Sequence, residues 1–462
     1  MRLHKSGFAI AAALFLLPGC SQNRPPEAAD TAAQAQVPEI PDAWSAGTKG
    51  EAIEVGWLAS FEDQTLRDLV SEAQVHNKSL QAAAANVDRA RALARQAGSA
   101  LKPQVGLSAG GSRSGVAGSS AQTDNLNLGL DISWELDVWG RLRAGRRGAL
   151  ASAESAEADF RFSQYSLAAG VARGYFLAIE AGQQEEVAQE TVAALEETLR
   201  IVDLRYENGV VSAQDQALAR ADLATARDRL VTVEGSRRDA LRSLEVLLGR
   251  YPAAELEVGK TLPLAPPHPP AGLPSEILER RPDLIAAERQ VAAAFDAVDQ
   301  ARAARLPTLG LTGSLGGSSS DLSSLVDPAN LAWRVGSSLL APLFDGGRRR
   351  DQVTVATADQ EQALAAYGQA ALQAFGEVET SLDQGVILSR RREELTIAAK
   401  EAKEAHRIAD LRYREGESDL LDVLGARQRV IAADSNLVSV ERQLLDQRVN
   451  LHLALGGNWQ VE

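Results

Sequence analysis

The chain of 462 residues carries a formal net charge of −14, is 45% hydrophobic but only 5% aromatic, and has one cysteine. That acidic balance argues against a nucleic-acid partner, which calls for a basic surface. The ordinary apolar content argues against a polytopic helical membrane protein, and a lone cysteine permits no internal disulfide.

At the N-terminus, Arg2, His4 and Lys5 precede a short apolar run over residues 8–17. A basic start and a short apolar segment read as a secretory signal, too short for a membrane span. The run ends in "LLPGC", which looks like a lipoprotein signal peptidase site. Residues 1–19 are then a signal peptide, and Cys20 becomes a lipidated first residue. Ser21 follows it, where an Asp would point to retention at the inner membrane. Residues 20–60 read as a lipidated tether, its stretch "SQNRPPEAADTAAQAQVPEIP" disordered.

A helix is expected over 64–100, stopping short of Pro103. A strand over 104–110 and a Gly/Ser loop follow. Next comes "NLNLGLDISWELDVWG", with Leu126, Leu128, Leu130, Ile132, Trp134, Leu136 and Val138 at every second position. That period of two marks a strand with one apolar and one polar face. Helices are expected over 142–207 and 213–248, since proline is absent from 104 to 251. "PLAPPHPPAGLP", residues 263–274, is an extended linker. A helix over 282–305, strands over 308–315 and 332–344, and helices over 349–414 and 419–455 complete the chain.

The two sides of the linker repeat each other. "QAGSALKPQVGLS" from Gln96 pairs with "QARAARLPTLGLT" from Gln300, "IVDLRYENG" from Ile201 with "IADLRYREG" from Ile408, and "LEVLLG" from Leu244 with "LHLALG" from Leu451. One order and a nearly constant offset imply duplication. The repeats span 61–262 and 275–457, and 458–462 form a tail.

A helix over 142–207 is about 100 Å long, so it must pack in a coiled coil. Ala188, Val192, Leu195, Leu199, Val202 and Tyr206 form one heptad seam, and Leu395, Ala399, Ala402, His406, Ala409 and Tyr413 its counterpart. His406 reads as a polar seam residue rather than a ligand. Gly209 and Gly416 sit where helices end in a left-handed residue. Ser212 with Asp215 reads as a capping box, and Ser418 or Asp419 takes that role in the second half.

Residues 126–138, tilted by about 40°, rise roughly 30 Å, the depth of a hydrocarbon core. Backbone in lipid needs partners, so a spanning sheet must close. Four strands cannot close alone, because the smallest such barrels have about eight. Two soluble hairpins packed on helices are the alternative that periodicity leaves open.

With these features the chain resembles the outer-membrane factors of the TolC/OprM type, in their NodT-like lipoprotein branch. The resemblance rests on "WLASFEDQTLRDLVSEAQVHNKSLQAA", "ERRPDLIAAERQVAAAFDAVDQARAARLPTLGL", "LRYREGESDLLDVLGARQ" and "LHLALGG". It implies a mixed α/β membrane channel. That channel is a homotrimer, internally duplicated, with four strands per protomer. A coiled-coil α-barrel in the periplasm continues a transmembrane β-barrel. The partners implied are outer-membrane lipid, a periplasmic adaptor (membrane fusion) protein and an inner-membrane pump of the RND type. The only cofactor expected is the covalent lipid on Cys20.

The same resemblance places the periplasmic gate at Tyr413, Leu421 and Asp422, with Asp215 opposite. It places adaptor contacts at the turns carrying Arg205, Tyr206, Gly209, Arg412 and Gly416. The sequence departs at Gly425, where relatives have a further acidic residue, which leaves open whether a second acidic ring exists. Leu421 also fits a heptad core position, and Arg205 and Arg412 also fit as helix C-terminal cations. Arg141, Arg143, Arg146, Arg147, Arg348, Arg349 and Arg350 follow the two descending strands, as lipid-phosphate contacts or as a solvated collar. Trp134, Trp139 and Trp333 fit interfacial anchors.

The five histidines lack metal-ligand spacing, and no phosphate loop or nucleophile elbow is present. The expected role is a conduit rather than an enzyme, namely the exit duct of a tripartite efflux pump. A protein-secretion channel serving a one-step exporter and a soluble coiled-coil adaptor or scaffold are the alternatives. The cargo is not legible in the chain.

Overall fold

The computed structural model describes residues 28–38, 40–46, 56–118, 120, 122–267 and 269–458. The signal segment and Cys20 lie outside them. In chain order come α1 (Ala28–Gln34), α2 (Gln64–His76), α3 (Lys78–Ser99), β1 (Gln104–Gly115), β2 (Gln122–Leu136), α4 (Arg141–Glu207) and α5 (Ala213–Leu247). The second half gives α6 (Ile277–Arg280), α7 (Pro282–Ala303), β3 (Thr308–Ser319), β4 (Leu331–Leu340), α8 (Arg348–Glu415) and α9 (Leu420–Ala454).

The two long helices have 67 and 68 residues, about 100 Å each. α4 packs on α5, and α8 on α9; α4 also packs on α9, which joins the two coils. The expected seams are where the helices bury. Ala188, Leu195 and Val202 are buried on α4, and Ala399 and Tyr413 on α8. His406 stays in its seam, where its Nε2 accepts from Arg427 Nε at 3.1 Å. Burial first, and then the Arg427 charge, hold its pKa below the ordinary imidazole value.

Where the helices meet the shorter elements, two apolar cores form. One gathers Leu66, Val70, Tyr175, Phe176, Leu244 and Leu248. The other gathers Ile277, Leu284, Tyr367, Leu451 and Leu455. Each core belongs mainly to one repeat.

The helix expected over 64–100 is two helices, broken at Asn77 (φ −63°, ψ 126°). Asn77 Oδ1 accepts the Leu80 N–H at 2.9 Å and caps α3, while Nδ2 donates to the Leu247 carbonyl at 2.9 Å. The second half breaks at Arg281 (φ −73°, ψ 120°), whose Nη1 donates to the Ala454 carbonyl at 3.1 Å. Both side chains thus bind a C-terminal carbonyl that its own helix leaves unpaired. Pro282 signals the second break; "HNKS" carries no such mark.

The same junctions hold left-handed glycines, Gly249 at φ 76° and Gly456 at φ 69°. A Cβ on Gly249 would lie 2.5 Å from the His76 carbonyl oxygen, and one on Gly456 would lie 3.1 Å from Arg280. Gly249→Ala combines a disfavoured φ with a backbone collision, so a loss of about 2 kcal/mol or more is expected. A thermal melt of the purified protein reads it; an unchanged midpoint would contradict the assigned contact.

The tether is corrected over its described part. Thr31, Ala32 and Trp44 are buried. Trp44 donates its indole N–H to the Ala271 carbonyl at 3.0 Å and lies 6.2 Å from the Phe375 ring. The Glu379 carboxylate accepts the N–H groups of Ser45 and Ala46 at 2.8 and 3.1 Å. A 3-10 helix, Trp57–Phe61, is buried as well, with Trp57 stacked 5.7 Å from His452. Scattered apolar residues in a polar-looking stretch are strapped against α7 and α8, a tertiary contact that leaves no local period.

All four strands form one antiparallel sheet in the order β1-β2-β3-β4. β1 and β3 run further than expected, and β4 stops before Pro342. β2 ends at Leu136, so Val138 is not a strand residue. The Asp137 carboxylate causes this by accepting the N–H groups of Leu142 and Arg143 at 3.0 and 2.9 Å, which turns the chain into α4.

Candidate functional site

Paired residues in an antiparallel sheet point to the same face, so the register shows which side chains stand together. One row reads Val105, Ile132, Gly313, Val335; the next reads Leu107, Leu130, Leu315, Trp333. A third adds Ala109, Leu128, Gly317 and Leu331. On the opposite face the rows read Gln104, Ser133, Thr312, Gly336 and Gly106, Asp131, Ser314, Arg334. Over these rows one face is apolar and the other polar, while further along the apolar face Arg113 pairs with Asp124 at 2.6 Å and Ser319 stands beside Leu126. The apolar face is open: Leu107 is 71% exposed, Trp333 77% and Val335 76%.

Among the described residues, no helix is long and apolar enough to cross a membrane. The sheet is the surface that fits a bilayer. β1 and β4 each carry one unpaired edge, and open edges are not tolerated in lipid. The arrangement calls for further copies to pair the edges.

Within the expected lipid face, the residues differ. Leu130 and Ile132 are exposed, each at 44%. Leu126 and Leu128 border a cavity under the β3–β4 connection, which brings Leu322, Leu325 and Val326 against them. Trp134 donates its indole N–H to the Leu101 carbonyl at 3.0 Å, and Trp139 donates to Pro307 at 2.6 Å. Both indoles thus tie the sheet to the start of its neighbouring strand.

The basic collar below the sheet is largely neutralised within the chain. Arg141 pairs with Glu135 at 2.7 Å, Arg143 with Asp137 at 3.1 Å, Arg147 with Asp296 at 2.7 Å and Arg350 with Asp351 at 3.1 Å. Arg349 pairs with Asp345 at 3.4 Å. Among the described residues, Arg146 and Arg348 have no ion-pair partner, which leaves these two as the open cations of the collar.

At the far end of the coils, the two turns repeat one another. Gly209 (φ 70°) donates to Tyr206 O at 2.9 Å and Val210 to Arg205 O at 2.8 Å; Gly416 (φ 81°) donates to Tyr413 O at 3.1 Å and Glu417 to Arg412 O at 2.9 Å. These are matching left-handed helix ends. Ser212 and Asp215 form the expected reciprocal capping box. In the second half Asp419, not Ser418, is the cap, accepting the Asp422 N–H at 3.1 Å.

The residues expected at the gate and at the adaptor contacts separate into two sets. Leu420 is 3% exposed and fills the core position, whereas Leu421 is 54% exposed. Asp422 is exposed beside it. Tyr413 is buried at 6% and lies under Arg205, whose guanidinium carbon is 4.3 Å from the ring centroid and whose Nη2 donates to the Tyr413 carbonyl at 3.3 Å. Arg205 and Tyr413 therefore pin one coil to the other inside the protomer. That cross-coil contact was not legible in either helix alone. Tyr206 is 41% exposed, beside Leu204 and Val210, and Arg412 and Gly416 also face solvent.

An apolar-faced open sheet set on about 100 Å of coiled coil defines a protomer of a tubular membrane conduit. The family model for outer membrane efflux proteins matches residues 69–250 and 273–457, and the chain belongs to that family. It is 34% identical over 420 residues to the pyoverdine export outer membrane protein OpmQ of Pseudomonas aeruginosa, covering 88% of each chain. It is 31% identical over 420 residues to the cation efflux system protein CusC of Escherichia coli, covering 88% of each. Among solved structures, the outer-membrane channel OprN superposes with a TM-score of 0.84 at 30% identity, covering 92% of this chain and 98% of that one. The fold is that of the trimeric outer-membrane channels. The chain is an outer-membrane efflux channel whose helical barrel lies in the periplasm.

Proposed function

We propose that three copies pair β4 of one protomer with β1 of the next to close a twelve-stranded barrel, four strands coming from each chain. The duct serves a tripartite pump, with a periplasmic adaptor at the tip and an inner-membrane pump of the RND type beyond. The observation that carries this reading is the sheet with one apolar face and two open edges on top of the long coils. The apolar rows rest in lipid, and the row of Asp131 and Arg334 lines the lumen. Cys20 carries the lipid that holds each N-terminus at the membrane.

At the tip, Leu421 and Asp422 are the constricting residues, tripled by the symmetry into an apolar and an acidic ring. The exposed apolar side chains Leu204, Tyr206 and Val210, with Arg412 and Gly416 on the companion turn, receive the adaptor. Asp215 holds its helix start through the capping box. Relatives are named for pyoverdine export and for cation efflux, so one duct architecture accommodates different cargoes. Selection of cargo then belongs to the pump.

Unboiled electrophoresis of detergent-extracted membranes tests the assembly, with planar-bilayer recording on the same sample. A band at three protomer masses that conducts ions is expected. A soluble monomer with no conductance would remove the channel reading.

A further inference from the structure

Between the two coils of one protomer lies a groove of about 290 Å³. Its floor is α4, through Val187 and Leu195; α5 supplies Asp222 and Arg229, and α9 supplies Arg427 and Ile431. Apolar walls therefore meet two guanidinium groups and one carboxyl. A second cavity of about 290 Å³ shares Arg427 and adds Glu190, His406 and Asp434.

Arg427 is the unusual member. Its side-chain hydrogen bond goes to a histidine, His406, rather than to a carboxylate. Burial lowers its pKa, with only a Coulombic contribution from Asp410 opposing that. Of the acids around it, Asp410 pairs with Arg414 at 2.9 Å and Asp434 with Lys403 at 2.9 Å, whereas Asp222 in the groove and Glu190 in the second cavity line the walls without an ion pair among the described residues. Among the described residues, neither Arg427 nor Arg229 has an ion-pair partner. A partly desolvated cation without an anion is costly, and a guanidinium fork is shaped to take a carboxylate through two hydrogen bonds.

We infer that this intercoil groove is a binding site for an amphipathic carboxylate, its acid held by Arg427 and Arg229 and its apolar body against Val187, Leu195 and Ile431. The occupant touches α4, α5 and α9 together, so it ties one coil to the other. Resting on the channel reading, this is a place where a small acid holds the tip in one state.

The test uses the intact trimer in uncharged nanodiscs, with 2-naphthoate as the probe and 2-naphthamide as its neutral counterpart. Fluorescence anisotropy is expected to show saturable naphthoate binding, about ten-fold or more tighter than the amide. Arg427→Gln lowers naphthoate affinity by about ten-fold, and Arg427→Lys by less, because Lys keeps the charge and loses the fork. Arg229→Gln, on an exposed helix face, lowers it as well and guards against a folding defect at Arg427. Equal affinity for acid and amide, the absence of saturation, or unchanged binding in both Gln variants overturns the site. A trimer that conducts ions but binds no naphthoate sinks this inference alone; one that binds but never conducts sinks the channel reading instead.

Discussion

Leu421→Ala combined with Asp422→Ala raises the single-channel conductance of the reconstituted trimer by roughly two- to five-fold, as expected when a ring of apolar and acidic side chains is removed from a constriction. The physical basis is the contrast at the start of α9. Leu420 is buried and carries the packing, while Leu421 beside it is exposed. In the proposed gate, truncating Leu421 therefore opens the axis without removing a core contact. The Asp422 carboxylate is not part of the cap, because Asp419 supplies that acceptor. Its loss changes the charge of the ring and leaves the helix start intact. Leu420→Ala is the control: it cuts into the apolar cluster at the tip, and a cost of about 2–4 kcal/mol is expected for a buried Leu. A conductance in the Leu421/Asp422 double variant equal to wild type would remove both residues from the gate.

Arg281→Ala has the largest effect expected on stability. Arg281 is 4% exposed. It makes two hydrogen bonds to Asp283, at 3.0 and 2.7 Å, one to Glu377 at 2.7 Å and one to the Ala454 carbonyl at 3.1 Å. One guanidinium thus joins the start of α7, the side of α8 and the end of α9. Removing one member of a buried ionic group costs about 3–5 kcal/mol, since the remaining charges stay without a partner. Glu377 is half exposed, so water recovers part of its loss and the lower end of that range applies. Arg281→Lys keeps the charge and loses the fork, so it lies between the two. The midpoint of the thermal trimer-to-monomer transition reads the difference. A shift within error for Arg281→Ala would contradict the junction role.

The helices were legible because their seams repeat with a heptad period that needs no tertiary information. The sheet faces were legible for the same reason, from a period of two. Leu126 to Leu136 stand in one strand as expected, but its last apolar residue, Val138, falls past the end. The Asp137 carboxylate cuts the strand short there, and no periodicity encodes that acceptor.

What escaped the sequence reading depends on distant partners. Asn77 breaks a helix because its side chain reaches Leu247. The strap at residues 31–38 and 40–46 packs because Gly368 leaves room for the Ala35 carbonyl, 3.1 Å from where a Cβ would stand. Arg205 reads as an exposed C-terminal cation in its own helix, yet it lies on Tyr413 of the other repeat. The repeat does not reveal this contact, since Tyr206 and Tyr413 occupy equivalent heptad positions and yet only Tyr413 is buried.

In the proposed trimer one chain supplies a third of a closed barrel. Within a protomer, β1 and β4 are separated by two strands, about 14 Å at usual strand spacing, so cysteines on these two edges cannot bridge inside one chain. The most direct measurement pairs Ser338→Cys on β4 with Gln104→Cys, Ser108→Cys or Ser112→Cys on β1, in a chain whose only native cysteine is Cys20. Oxidised membranes are then run under denaturing, non-reducing conditions. The expected result, for at least one of the three pairs, is a ladder of covalent dimer and trimer that stops at three and collapses on reduction. Monomer alone from all three pairs, or a ladder that runs past three, would contradict the shared twelve-stranded barrel.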